Sequence, residues 1–187
     1  MKLKLLLLSL LISAGSIAAD YKIDTKGMHA SIQFKISHLG MSWIIGRFES
    51  FSGNYSFDSA KPNESTLSIV VNTKSVNTNH AERDKHLRAD DFLDVEKFPE
   101  ATFTSESVTL NTDNTGTMTG KLNLHGVVKT VTVNITKIGE GKDPWGGYRT
   151  GFEGSTVIVL ADYGITKNLG KASQTLELIV SFEGKRQ

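Results

Sequence analysis

The sequence predicts an all-β domain, on three observations. Apolar and polar residues alternate with period two in about eight segments of the chain. The connections between them are turn-rich, as in DSAKPNES, TDNTG and DPWGG. One stretch, Asn79 to Phe103, refuses strand periodicity while its flanks keep it. Antiparallel strands with one apolar face each build either a two-sheet sandwich or a closed barrel, and periodicity does not choose between them.

The chain has 187 residues and no internal repeat, which suits one domain with a substantial core. Lys2 and Lys4 precede an apolar run from Leu5 to Leu11 that continues to Ile17, and small residues follow. This is the pattern of a secretory signal peptide, residues 1–18, cleaved near Ala18 or Ala19 and too short for a membrane-spanning helix. The expected mature domain is residues 19–187. The 21 Lys and Arg, less Lys2 and Lys4, leave 19 against 20 Asp and Glu, so the mature domain is close to neutral. With no basic stripe to neutralise phosphates, nucleic acid is not an expected partner. The chain has no Cys. That excludes a lipoprotein anchor, a disulfide framework, a thiolate nucleophile and a zinc-thiolate site.

In chain order, Ala30, Ile32, Phe34 and Ile36 alternate with Ser31, Gln33, Lys35 and Ser37, a strand with one buried face. The next segment, HLGMSWIIGRFESF, has no clean period and reads as a turn or short coil over something apolar, with Trp43 either at a mouth or plugging a core. Phe51 to Asp58 is a second strand, and Leu67, Ile69 and Val71 mark a third. After the non-strand stretch come Ala101 to Leu110, then a hairpin in which His125-Gly126 reverses the chain between Met118, Leu122, Leu124 and Val131, Val133, Ile135. Phe152, Thr156, Ile158 and Leu160 share a face of the next strand, and Leu176, Leu178, Val180 and Phe182 that of the last.

The exceptional stretch begins as a short helix. Asn79 can cap it, with Glu82 placed to complete a capping box. An Asp84–Arg88 pair adds only ~0.2–0.5 kcal/mol, so the helix needs anchors, for which Leu87, Phe92 and Leu93 are the candidates. A short helix with one lightly apolar face fits a lid.

Catalytic signatures are missing. His80 and His86 stand six apart, on different helical faces, and the HExxH spacing does not occur. His29, His38 and His125 are scattered over strands and turns, and there is neither a G-x-S-x-G elbow nor a Gly-rich phosphate loop. Neither a metal site nor catalysis is expected.

HLGMSW, GRFESFSG, the run NTNHAERDKHLRADDFLDVEKFPEATFTS, and GFEGS together resemble the YceI-like family of lipocalin-like, periplasmic polyisoprenoid-binding proteins. The likeness spans essentially the whole mature chain, with a mild departure at Val128 and Thr130 in the hairpin. It implies an eight-stranded antiparallel lipocalin-like barrel with one short helix as a lid. The apolar pore would hold an isoprenoid lipid, either a polyprenyl phosphate or an isoprenoid quinone, for carriage, storage or sequestration in the periplasm. The bound lipid would be the ligand, with no cofactor. Strands of ~10 residues rise ~25 Å along a tilted barrel axis, which suits a lipid tail.

The expected tail contacts are the alternating positions Ile32, Phe34, Ile36, Leu67, Ile69, Phe103, Leu122, Leu124, Val133, Phe152 and Ile158. Trp43, Phe48, Leu87 and Phe92 would close the mouth, and Arg83 or His86 would face the head group. The plainer reading of Arg83, Asp84, Lys85 and His86 is a solvated helix face. Transient membrane contact and a homodimer through an incompletely closed edge are further expectations. Two alternatives are an envelope protein-interaction module with a filled core, and an enzyme acting on an isoprenoid.

Overall fold

The computed structural model describes residues 18–167 and 169–187. The predicted leader, apart from Ala18, lies outside them. The chain folds into eight staves, three of them broken. The first consists of β1 (Ala19–Ile23) and β2 (Ala30–His38), which run in succession along the final strand, β11 (Thr175–Arg186). The second is β3 (Ser42–Phe48) followed by β4 (Phe51–Phe57), and the third β5 (Thr66–Asn72) followed by β6 (Val76–Asn77). After the helix α1 (Ala81–Arg88) come the unbroken staves β7 (Glu100–Leu110), β8 (Thr115–Leu124), β9 (Val127–Lys142), β10 (Tyr148–Val159) and β11.

All neighbours are antiparallel, and because β1 bonds to both β4 and β11 the sheet closes on itself. A closed eight-stranded antiparallel barrel is therefore the architecture, and the sandwich is excluded. Closure also removes the continuous free edge on which a dimer was expected and leaves short unpaired stretches, among them the upper part of β3, where β6 reaches only Arg47 and Phe48, and residues 127–133 of β9 opposite residues 156–159 of β10.

Two connections use consecutive left-handed residues, Leu39 (φ 56°) with Gly40 (φ 75°) between β2 and β3, and His125 (φ 52°) with Gly126 (φ 74°) between β8 and β9. Such turns match the twist of the strands they join. The His125-Gly126 reversal was legible; the Leu39-Gly40 one was not. HLGMSWIIGRFESF is accordingly corrected from coil to strand: Ile44, Gly46 and Phe48 turn inward while Trp43 and Ile45 stand 61% and 60% exposed. Apolar residues on both faces hide the alternation that would have revealed it. β1 was not anticipated either.

The helix is real, but its cap is His80, whose Nδ1 accepts from the Arg83 amide at 3.2 Å. Asn79 instead takes a left-handed backbone (φ 60°). The expected Asp84–Arg88 pair does not form. Asp84 is buried and accepts from the Thr78 amide (2.8 Å) and hydroxyl (2.5 Å), while Arg88 donates to the carbonyls of Lys74 and Val76, both at 2.7 Å. These bonds bolt α1 to the β5–β6 corner.

At the base of the barrel, where β1, β4 and the end of β11 meet, the interior is solid. Tyr55 stacks on Tyr21 (4.9 Å between rings), meets the edge of Phe152 (5.8 Å) and donates to the Thr150 carbonyl at 2.8 Å. Burial pushes its hydroxyl pKa up. Its ring lies across Gly184, where an added Cβ would stand 2.4 Å from it. Outside this floor, Arg149 donates to Asp24 (2.7 Å), Asp143 (3.0 Å) and Glu183 (3.0 Å). The Arg149 guanidinium holds the buried Asp24 carboxyl well below the usual carboxylate range, with Gly27 and Lys185 adding to the effect.

Gly184→Ala should destabilise the protein by about 1–3 kcal/mol, because a pinned ring must move; an unchanged melting temperature would contradict this floor. Asp24 is the depressed-pKa case, so its contribution is complete above the ordinary carboxylate range near ~4 and is lost as pH falls through and below it. Asp24→Asn should cost on the order of 1–3 kcal/mol at pH 7 in denaturant unfolding. The cost should shrink as the wild type is acidified.

Candidate functional site

Above the aromatic floor the barrel is not filled. Inward side chains leave two adjoining cavities that share Ile32, Val71, Ala101, Leu122 and Leu178 as wall. The lower holds about 120 Å³ and the upper, beneath α1, about 410 Å³. The upper volume falls in the range of small-molecule sites. Both linings are almost wholly aliphatic and aromatic. Such walls offer desolvation and little else, so they suit an apolar group better than a polar solute.

The period-two alternation of the staves places most sequence-derived positions on these walls. Leu67, Ile69, Phe103, Val133 and Phe152 line the lower cavity, Ile32 and Leu122 line both, and Phe34, Ile36, Phe48, Leu124 and Ile158 line the upper one. Arg83, His86, Leu87 and Phe92 form part of the upper cavity's roof. Trp43 is the exception and its role as a closing residue is corrected. Strand alternation turns it outward, where the Lys35 ammonium sits 4.4 Å above its ring.

Sequence reasoning missed Ile44 on β3 and two residues of the β10–β11 connection, Ile165 and Leu169, on the upper wall; Leu160, also on that wall, was read on the inward face of the preceding strand but not as a contact. Ile44 was concealed by its apolar neighbours. The connection has no period to read, since Leu160–Tyr163 and Lys171–Ser173 are single 3-10 turns. The alternating faces of β8, β9 and β11 did contain the missed wall residues Met118, Ile135 and Val180.

Ionic side chains of the upper cavity gather at its mouth. Arg83 donates through Nε to the Thr78 hydroxyl (2.7 Å) and through Nη2 to the Thr78 carbonyl (2.9 Å), which fixes its guanidinium at the cavity roof. His86 meets the Phe92 ring edge-on at 4.9 Å, and its Nε2 lies 3.2 Å from Asp91 Oδ2. The same carboxylate oxygen accepts from Lys167 at 2.5 Å, tying the helix side of the mouth to the β10–β11 connection. Lys167, with His86 behind it, holds the Asp91 carboxyl below its usual range. The helix face is thus only partly solvated: Lys85 is exposed, but Asp84 is buried. Among the described residues, no group of three or more His, Asp or Glu is disposed to hold a metal ion.

Residues 21–184 match the YceI-like domain family. Over 183 residues the chain is 56% identical to a UPF0312 protein of Ectopseudomonas mendocina, covering 98% of this chain and 96% of that one. A UPF0312 protein of Shewanella denitrificans is 52% identical over 96% of this chain and 94% of its own. Among solved structures, the YCEI protein of Campylobacter jejuni superposes with a TM-score of 0.73 at 30% identity, covering 82% of this chain and 91% of that one. A polyisoprenoid binding domain from Saccharophagus degradans shares the fold alone, with a TM-score of 0.66 at 19% identity over 89% and 98% of the two chains. By sequence match and by architecture, the chain belongs to the YceI-like domain family.

Proposed function

We propose that the protein binds an isoprenoid lipid, a polyprenyl phosphate or an isoprenoid quinone, with the tail in the barrel and the head at the α1 mouth. Its role would be carriage, storage or sequestration in the periplasm after export by the N-terminal leader. The observation that carries this reading is the upper cavity, about 410 Å³ of aliphatic and aromatic wall, in a barrel whose base is packed with aromatic rings. The Saccharophagus degradans domain of the same fold is described as polyisoprenoid-binding, which supports the ligand class. The cavity speaks against the filled core that an interaction module would have. Binding rather than turnover suits linings that are almost wholly aliphatic and aromatic, with the few ionic side chains of the mouth held in place, Arg83 by Thr78 and both His86 and Lys167 by Asp91.

The physics favours the tail. Each CH₂ removed from water gains ~0.8 kcal/mol, less the cost of ordering the chain. The head would set orientation, with Arg83 able to offer a charge-assisted contact to a phosphate. A quinone carbonyl needs only one neutral donor.

Mass spectrometry of an organic extract of the mature protein, purified from the periplasm without detergent, should find an isoprenoid near one per chain. An empty extract from folded protein would overturn the reading. Ile36→Trp, which fills the upper cavity, should weaken isoprenoid binding more than about tenfold by excluding at least two CH₂ groups. Unchanged affinity at unchanged fold would place the tail elsewhere. Arg83→Ala should lower retention of a polyprenyl phosphate by about tenfold while sparing a quinone. Equal retention of the phosphate would remove Arg83 from the head site.

A further inference from the structure

The apolar surface of the protein does not stop at the mouth. The β2–β3 hairpin projects beside it, with Met41 at the tip 86% exposed and Leu39 59% exposed. Leu39 is at once a wall of the upper cavity and part of the outer surface, as is Leu169 across the mouth, 37% exposed. Trp43 and Ile45 extend the same patch down the outer face of β3. The hairpin is braced from behind: Ser173 donates to the Ser37 carbonyl at 2.7 Å, and a Cβ at Gly40 would rest 3.7 Å from Ala172.

Charge surrounds this patch in a defined way. Lys35 lies over the Trp43 ring and 3.9 Å from Glu177. Lys171, next to Ala172, is exposed and has no ion-pair partner among the described residues. Lys167 stands at the rim on Asp91. Exposed aliphatic groups and a Trp, flanked by lysines whose stems can lie along apolar surface, are the composition that seats a protein in a lipid headgroup layer. Of these three lysines Lys171 is the one without a carboxylate partner among the described residues, and lysines at such a site disfavour a protein partner, since interface cores are depleted of them.

We infer that the β2–β3 tip, with Leu169, docks the mouth on the surface of an anionic bilayer, so that cavity and acyl region become one continuous apolar phase. The inference rests on the lipid-binding reading for its purpose but not for its test. The two Trp residues are placed at opposite ends of the barrel: Trp43 beside the mouth, and Trp145, 80% exposed, in the β9–β10 turn at the base. Trp145→Phe leaves Trp43 as the sole reporter, and Trp43→Phe leaves Trp145.

With vesicles of phosphatidylethanolamine and phosphatidylglycerol, emission of the Trp43 reporter should shift to the blue and be quenched by brominated chains, while the Trp145 reporter stays unchanged. Met41→Asp should reduce partitioning at least about tenfold, and Lys171→Glu should reduce it at low salt. No shift at saturating lipid, or an equal response from both reporters, would overturn the inference. So would a Trp43 shift that depends on protein concentration without vesicles, which would assign the patch to a second copy. Isoprenoid content of the same preparations separates the two claims. Bound isoprenoid with no vesicle response sinks docking alone, and vesicle docking by a lipid-free protein sinks the isoprenoid reading alone.

Discussion

The long strand β11 is shared by two N-terminal strands, and the rest of the barrel depends on that sharing. Its residues 176–182 bond to β2 and its residues 184–186 to β1. Between them the loop from Asp24 to His29 leaves the sheet, yet the ladder is carried across the gap. The Asp24 amide donates to the Glu183 carbonyl, and the Glu183 amide to the His29 carbonyl, both at 2.9 Å. Arg149 then gathers Asp24, Asp143 and Glu183 outside the same point. Without this junction the ring would have an open seam at its base.

A barrel closed in this way has a fixed circumference, and side-chain size decides how much of its interior is filled. Tyr21, Tyr55, Phe57, Phe152 and Phe182 fill the base with aromatic rings in mutual contact. Toward the mouth the inward residues are mainly Ile, Leu and Val, which are too small to meet across the same ring. The result is a vessel with an aromatic floor and an apolar throat. The hydrogen-bonded Thr78 corner holds α1 over the opening, so the lid is fastened by polar bonds and faces the cavity with Leu87 and Arg83. The Arg83 guanidinium is hydrogen-bonded at the rim, so the throat below it is left to apolar side chains, as a lipid tail requires.

The staves were legible because a wall wet on one side and apolar on the other writes period two into the chain. That signal placed Phe34, Ile69, Leu122 and Ile158 on the cavity wall. It failed where both faces are apolar, as at Trp43, Ile44 and Ile45, because alternation then carries no contrast. It also failed in the β10–β11 connection, where tertiary contact and not local pattern buries Ile165. The helix was recognised from its composition, but its cap was misplaced by one residue: the left-handed Asn79 turns the chain and leaves His80 to accept the first amide. Asp84 read as solvent-facing because its partner, Thr78, lies outside the helix that defines the face.

In the proposed function the upper cavity takes up an isoprenoid tail by desolvation. The affinity of the lipid-free protein for a series of isoprenoid alcohols of increasing length tests it most directly, because the head is then constant. Affinity should climb with each added unit until the cavity is full and then level off, with Ile36→Trp moving the plateau to a shorter chain. An affinity indifferent to chain length, in wild type and variant alike, would contradict it.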